Sequence, residues 1–230
     1  MAKKKTKNTR RQMRAKASAV HTAHENPRVV YLLNYEITEE PMPDPRYPHL
    51  PEEVVERLHD LVMTQSKAAI PELIEQIEHH PDVPMLYNYL AAAYGYTRDI
   101  SKYEHVVLEN FQRFPEYLFA RLNYAELLLR KRDYDRVADL LNHAFDIGLF
   151  YPERKCFHIT EYTGFTGTVG LYHIGVGNLE AAEKVLDMLE QVAPEEPITR
   201  RLQSELLARR LELGLAALKR RQRSSASPSR

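Results

Sequence analysis

Cys156 is the only cysteine in this 230-residue chain, and His158 follows it two positions later. A thiol activated by an imidazole can act as a nucleophile, and sulfur and imidazole both bind zinc. A closed zinc site takes four such ligands, and nucleophilic catalysis needs a base that a third group orients. Neither set accompanies this pair, so we interpret Cys156 as a structural or surface residue.

Other titratable residues that occur in pairs have simpler explanations. The pairs are His21 and His24, His79 and His80, Glu52 and Glu53, and Glu195 and Glu196. The histidines are expected to be solvated or at helix ends, and the glutamates fall at predicted helix ends, where they favour the helix dipole. No glycine-rich loop has the spacing of a phosphate-binding motif. We therefore predict that the protein is not an enzyme and has no catalytic residue, metal site or cofactor.

Charge is distributed unevenly although the formal net charge is zero. Residues 1–24 contain eight Lys or Arg and no acidic residue, and residues 199–230 contain nine against two acidic residues. Such basic ends can displace counterions from phosphate; the alternative is that they are solvated tails that aid solubility. The candidate phosphate-binding residues are Lys3, Lys4, Lys5, Arg10, Arg11, Lys219, Arg220 and Arg221.

The same composition indicates a compartment. A single cysteine rules out an intramolecular disulfide, which fits a reducing environment. The chain has no apolar run near eighteen residues, and no apolar block follows its basic start, so neither a transmembrane helix nor a secretory signal is predicted. We expect a cytoplasmic protein without a membrane partner.

Residues 81–115 show two helical patterns joined by a turn and closed by a proline. The first face consists of Tyr87, Leu90, Ala91 and Tyr94, and the second of Tyr103, Val106, Val107 and Phe111. Residues 97–100 interrupt the pattern, and the spacing of Ser101 and Glu104 predicts a capping box that starts the second helix.

The pattern recurs along the chain. Asp133 lies 34 residues after Asp99, and the interval from Asp99 to Pro115 equals those from Gln65 to Pro81 and from Asn178 to Pro194. Between Asp133 and Asn178 about eleven extra residues are inserted around 145–160. Repeats of this length are typical of helix-turn-helix arrays.

These residues resemble the tetratricopeptide repeat. The match is carried by Tyr87, Leu90, Ala91, Tyr94, Tyr103, Val107 and Pro115, and by related residues in the flanking units. The resemblance covers about residues 52–196. It implies an all-α fold, a short right-handed solenoid of about three repeats closed by a terminal helix that covers its apolar edge.

In such arrays the first helices line a concave groove that receives a peptide or a partner helix. Carried over to this chain, the groove positions are Asn88, Ala92, Tyr96, Leu122, Glu126, Arg130, Gly167, Leu171 and Gly175. We expect Asn88 to bond a peptide backbone, Tyr96 to supply a contact face and Arg130 to pair with a carboxylate. The alternative is that several of these residues pack against the insertion or the N-terminal segment.

The chain is predicted to contain five segments. They are a disordered basic arm at 1–27, an apolar run and proline-rich strap at 28–50, the repeat domain at 51–196, a helix at 197–223 and a disordered tail at 224–230. The apolar run at 29–33 fits either a strand or a short helix and is expected to dock on the helical body; a motif read by another protein is the alternative. The wide apolar surface of the last helix leaves room for self-association.

Two functions remain open from sequence. The favoured one is a protein–protein interaction scaffold that uses the groove; the other is a nucleic-acid- or ribosome-associated protein that grips phosphate through its basic ends. Removing the basic ends should spare the first and abolish the second.

Overall fold

The computed structural model describes residues 34–225, and most of them are helical, which confirms the all-α class. The helices are α1 (Glu52–His79), α2 (Pro84–Tyr96), α3 (Ile100–Arg113), α4 (Leu118–Arg130), α5 (Tyr134–Leu140), α6 (Ile147–Phe150), α7 (Ile159–Gly175), α8 (Leu179–Val192) and α9 (Pro197–Ser225). Two short strands, β1 (Glu36–Thr38) and β2 (Cys156–His158), accompany them. The expectations for residues 1–27, 29–33 and 226–230 lie outside the described residues.

One turn geometry joins α2 to α3, α4 to α5 and α7 to α8. Each turn contains one residue in the left-handed backbone conformation: Arg98 (φ 59°), Arg132 (φ 58°) and Gly177 (φ 81°), in chain order. The following residue is the N-cap of the second helix, and its N–H donates to the carbonyl five residues earlier at 2.9–3.0 Å. Positions 99, 133 and 178, which the repeat spacing singles out, therefore share one local backbone structure.

The start of α3 differs from the prediction. Asp99, not Ser101, is the N-cap, and its carboxylate accepts a hydrogen bond from the N–H of Lys102 at 3.3 Å. The Lys102 ammonium adds an ion pair to Asp99 at 3.2 Å. An aspartate two residues upstream caps the helix instead, which leaves Ser101 inside the first turn.

The second helices also end alike. His80, Phe114 and Ala193 follow α1, α3 and α8, with ψ of 62°, 60° and 63°, and each precedes a proline. A proline ring excludes the α conformation for the residue before it, so the helix ends there. The closing prolines act as the sequence predicts.

The first unit is a pair of helices, and one helix of a later unit is shorter than expected. α1 is kinked at Gln65 (φ −140°, ψ 51°), so residues 52–79 consist of two helices that meet where the interval to Pro81 begins. The helix after Asp133, in which the repeat spacing places Val137, Leu141 and Ala144, ends at Leu140, because Asn142 and His143 adopt left-handed conformations (φ 52° and 54°). The insertion then contributes α6 and β2.

The N-terminal strap docks on this insertion. β1 pairs in parallel with β2, with Ile37 opposite Phe157. The Tyr35 hydroxyl donates to Asp146 Oδ2 at 2.9 Å, and its ring packs edge-on against Phe157 at 5.1 Å. Burial, with the Asp146 carboxylate adding to it, raises the pKa of Tyr35 well above its usual range. The strap is thus anchored to the insertion by a strand and a buried hydrogen bond.

The apolar core has two parts that meet at α4. One part holds α1, α2 and α3 together, and includes Tyr87 and Leu127. The other is built from α4 through the first half of α9, and includes Leu122, Phe165 and Leu202. Between these parts, α2 contacts α4 and α4 contacts α7.

Candidate functional site

A surface depression of about 320 Å³ lies where α2, α3 and α4 meet. It is lined by Ala92, Gly95, Tyr96, Ile100, Tyr103 and Arg130. Three of these, Ala92, Tyr96 and Arg130, are predicted groove residues, and the fold brings them together although 38 residues separate the first from the last.

The walls of the depression are apolar and exposed. Tyr96 ends α2 with 58% of its surface exposed, and Ile100 opens α3 with 48% exposed. Tyr94, two residues earlier, is buried in the core beneath. Two large apolar side chains therefore stay in solvent beside the same depression.

Arg130 supplies the charge of the depression. Its guanidinium lies 5.3 Å from the centre of the Tyr103 ring and pairs with Glu126 at 3.0 Å. Burial is the largest single effect and opposes the positive charge, but the hydrogen bond to the Glu126 carboxylate and the attraction of nearby negative charge together outweigh it and raise the pKa of Arg130. Glu126 also accepts from Arg201 of α9 at 3.0 Å, so two arginines share this carboxylate.

Asn88 is committed to the interior of the molecule. Its Oδ1 accepts hydrogen bonds from Asn110 at 2.7 Å and from Asn123 at 3.0 Å. Asn110 is buried, and its own Oδ1 has no partner within residues 34–225. The carbonyl of Asn88 therefore ties α2 to α3 and α4 and does not receive a peptide backbone.

Leu122 does not belong to an exposed groove either. It is buried in the core, and its Cδ1 lies 3.1 Å from the position that a side-chain carbon on Gly164 of α7 would occupy. The expectation that it is exposed is wrong because α7 packs directly on this part of α4.

The third set of groove positions is covered by the chain itself. Gly167 is buried, and a methyl group there would overlap Ile198 of α9. Leu171 is buried in the core next to it. Gly175 is half-buried against the Tyr134 ring. These positions are not available to a partner, because α9 and α5 occupy the space in front of them.

The sequence missed half of the lining. Gly95, Ile100 and Tyr103 belong to the depression but not to the predicted groove, because the predicted positions are those four residues apart on the first helices. The sequence does indicate Ile100, because it is an apolar residue within the polar segment 97–102 that joins the two helices.

A second depression, of about 240 Å³, opens between α3, α4 and α5. It is lined by Glu104, His105, Leu108, Tyr124, Leu127, Leu128, Lys131 and Arg136. Its charged residues largely satisfy one another, as in the 2.9 Å ion pair between Lys131 and Glu104. The second depression therefore offers a ligand fewer charged groups to pair with than the first.

The cysteine and histidine of β2 have structural surroundings. His158 is the N-cap of α7: its Nδ1 accepts from the N–H of Thr160 at 3.3 Å, and Glu161 accepts from the N–H of His158 at 3.0 Å. The Arg154 guanidinium donates two hydrogen bonds to the Glu161 carboxylate. Cys156 is half-buried beside them. Within residues 34–225 no three His, Cys, Asp or Glu side chains are grouped to hold a metal ion.

The basic ends are only partly described. Five of the candidate phosphate-binding residues lie outside residues 34–225: Lys3, Lys4, Lys5, Arg10 and Arg11. For Arg221 the structure describes the backbone only. Lys219 and Arg220 are exposed near the end of α9.

Comparison of the chain with protein-family models, with curated proteins and with solved structures found no match. In the part of the chain that the structure describes, no helix combines the length and apolar character needed to cross a membrane.

Proposed function

We propose that the protein is a non-enzymatic interaction scaffold of the cytoplasm that binds a peptide or helix in the depression between α2, α3 and α4. In this proposal its helices form a short right-handed solenoid of tetratricopeptide-like repeats. The recurring turn, the recurring proline stop, and the contacts from α2 to α4 and from α4 to α7 support a repeat array.

One observation carries the binding function. Tyr96 and Ile100 are among the large apolar residues that the fold leaves in solvent, and both border the same depression, with Arg130 at its edge. An aromatic and an aliphatic wall beside an arginine suit a ligand that presents an apolar side chain next to a carboxylate. Since Glu126 is shared with Arg201, a ligand carboxylate can compete for Arg130.

The test is selection of peptides from a display library on the immobilised full-length protein. We expect enriched peptides to combine an apolar residue with an acidic one or a free C-terminus. Their affinity should fall by roughly tenfold or more for Tyr96→Ala and for Arg130→Gln, a loss of about 1.4 kcal/mol or more.

Leu149→Ala is the matched control, because Leu149 is a surface residue with 70% exposure that does not line the depression. Enriched peptides that bind Tyr96→Ala and Arg130→Gln as tightly as the parent would place the binding site elsewhere. An absence of enriched peptides would count against the groove function itself.

The exposed lysine and arginine near the end of α9 favour a second function, binding of a polyanion such as RNA. Binding of a single-stranded RNA should then weaken steeply as the salt concentration rises. The double variant Lys219→Gln with Arg220→Gln should lower the slope of log affinity against log salt by the amount that about two phosphate contacts contribute. RNA binding that is independent of these residues and of salt would contradict it. Tyr96→Ala should leave this activity unchanged, which separates the two functions.

A further inference from the structure

Beyond the groove, α9 carries a row of leucines that nothing in the described chain covers. Leu202 and Leu206 are buried against the body. Leu207, Leu211, Leu215 and Leu218 are each between 56% and 59% exposed. We call these four residues the leucine row.

The row forms one continuous face. Spacings of four, four and three residues bring side chains to the same side of a helix. Leu207 is exposed although its neighbour Leu206 is buried, so the row already faces away from the body where α9 is still docked. A second helix can therefore lie along the row without displacing the body.

The nearby charges are held off this face. Arg210 forms an ion pair with Glu183 of α8, which draws its guanidinium toward the body. Arg209 pairs with Glu212 at 2.6 Å, one turn further along the helix. The row is thus apolar along its length, and the basic run that follows it begins at Lys219.

We propose that the leucine row is the contact surface of a homodimer in which α9 of one copy pairs antiparallel with α9 of a second copy. A two-fold axis through the middle of the row brings Leu207 opposite Leu218 of the second copy and sets Leu211 beside Leu215. The same patch then serves both copies, as a two-fold interface requires.

Charge selects the antiparallel direction. A parallel pair would set Lys219, at the edge of the row, beside its own copy, which is repulsive. The antiparallel pair sets this basic end within one residue of the level of Glu205 on the second copy. Glu205 is available, since its one contact here is a long 3.8 Å pair with Arg201.

Gly214 fits the same arrangement. It lies three residues after Leu211 and four before Leu218, on the edge of the row, and a side-chain carbon there would meet no atom within 4 Å. A glycine inside an exposed helix weakens the helix. In the dimer it lets the two helices approach closely, which gives this residue a role that it lacks in the monomer.

The test is sedimentation velocity of the full-length protein over a concentration range from about 1 to 200 μM, the regime of weak dimers. We expect a reversible monomer–dimer equilibrium. Leu211→Gln with Leu215→Gln should raise the dissociation constant by roughly tenfold or more, because two buried apolar contacts are lost in each copy. Leu213→Gln is the control, since Leu213 is an exposed leucine of the same helix outside the row.

A charge exchange tests the direction. Lys219→Glu alone and Glu205→Lys alone should each weaken the dimer, and the two together should restore it. A protein that stays monomeric throughout, or a dimer equally weakened by Leu213→Gln, would overturn the proposal. A dimer that persists in the leucine variants but disappears on nuclease treatment would assign association to bound nucleic acid instead.

Discussion

The face of α2 and the face of α7 hold corresponding positions in the predicted repeat, yet one is open and the other is filled. On α2, Ala92 and Tyr96 border a depression that is exposed to solvent. On α7, Gly167 lies against Ile198 of α9, and Leu171 is buried in the core. The difference comes from what the chain does after each unit: α9 returns over α7 but extends away before it reaches α2.

This comparison shows that helical spacing identifies which side a residue is on but not what lies in front of it. The glycines of α7 weaken a helix, and the close approach of Ile198 and Leu202 explains why they are tolerated. On α2 no such approach occurs, and larger side chains occupy the surface. Gly167 therefore marks a covered part of the face, and Tyr96 marks an open one.

The largest expected effect tests whether the open face rests on a fixed core. Tyr94→Ala should lower the free energy of unfolding by about 3–5 kcal/mol, because the ring is buried in the core of α1 to α3. Urea unfolding measures this loss. Tyr96→Ala, two residues away, should stay within about 0.5 kcal/mol because that ring is exposed. Equal losses in the two variants would mean that α2 is rotated from the orientation described.

The filled face should behave in the opposite way. Leu171→Ala should cost about 2–5 kcal/mol, as a buried leucine does, although it holds a predicted groove position. The readout is the urea midpoint at constant slope. Leu149→Ala, at an exposed leucine, is expected to be close to neutral. A neutral Leu171→Ala would show that α9 leaves this face uncovered.

Two glycines sharpen the comparison at smaller energies. Gly167→Ala should destabilise the protein by about 1–3 kcal/mol, because the added methyl group overlaps Ile198. Gly214→Ala has open space and should stabilise the helix by roughly 0.5–1 kcal/mol. Thermal unfolding distinguishes the signs. If Gly167→Ala is also stabilising, α9 does not pack as closely on α7 as the structure shows.

The smallest expected effect concerns pH and belongs to the filled side. Burial lowers the pKa of His173, whose Nδ1 has no partner in residues 34–225. As the pH falls below about 6.5, this histidine takes up a proton in the unfolded chain before it does so in the folded protein. Stability is therefore lost between about pH 6.5 and the lower pKa of His173 in the folded protein. His173→Gln should flatten this part of the stability profile, measured by urea unfolding at several pH values. An unchanged profile would assign the loss to other groups.

The sequence predicted the parts of the fold that depend on neighbours along the chain. The turns before α3, α5 and α8 follow from positions 99, 133 and 178, and the stops before Pro81, Pro115 and Pro194 follow from proline geometry. The long C-terminal helix was predicted within two residues at each end. All of these features are local.

What sequence reasoning missed depends on contacts between distant segments. The burial of Leu122 and Gly167 requires knowledge of where α7 and α9 lie, which no spacing within one helix contains. Likewise, the internal hydrogen bonds of Asn88 join three helices. The predicted groove positions therefore border an open surface at Ala92, Tyr96 and Arg130, and are covered where a later segment returns.

The pairing of β1 with β2 has a consequence for how the protein is made. Glu36 pairs with Cys156, so the two partners are separated by 120 positions. At about 5–20 residues per second, a ribosome needs roughly 6–24 seconds to synthesise the second strand after the first. α1 to α4 are synthesised during that interval, before the partner of β1 exists. The strap, which precedes all of the described helices, therefore reaches its place only after the chain has been made through β2.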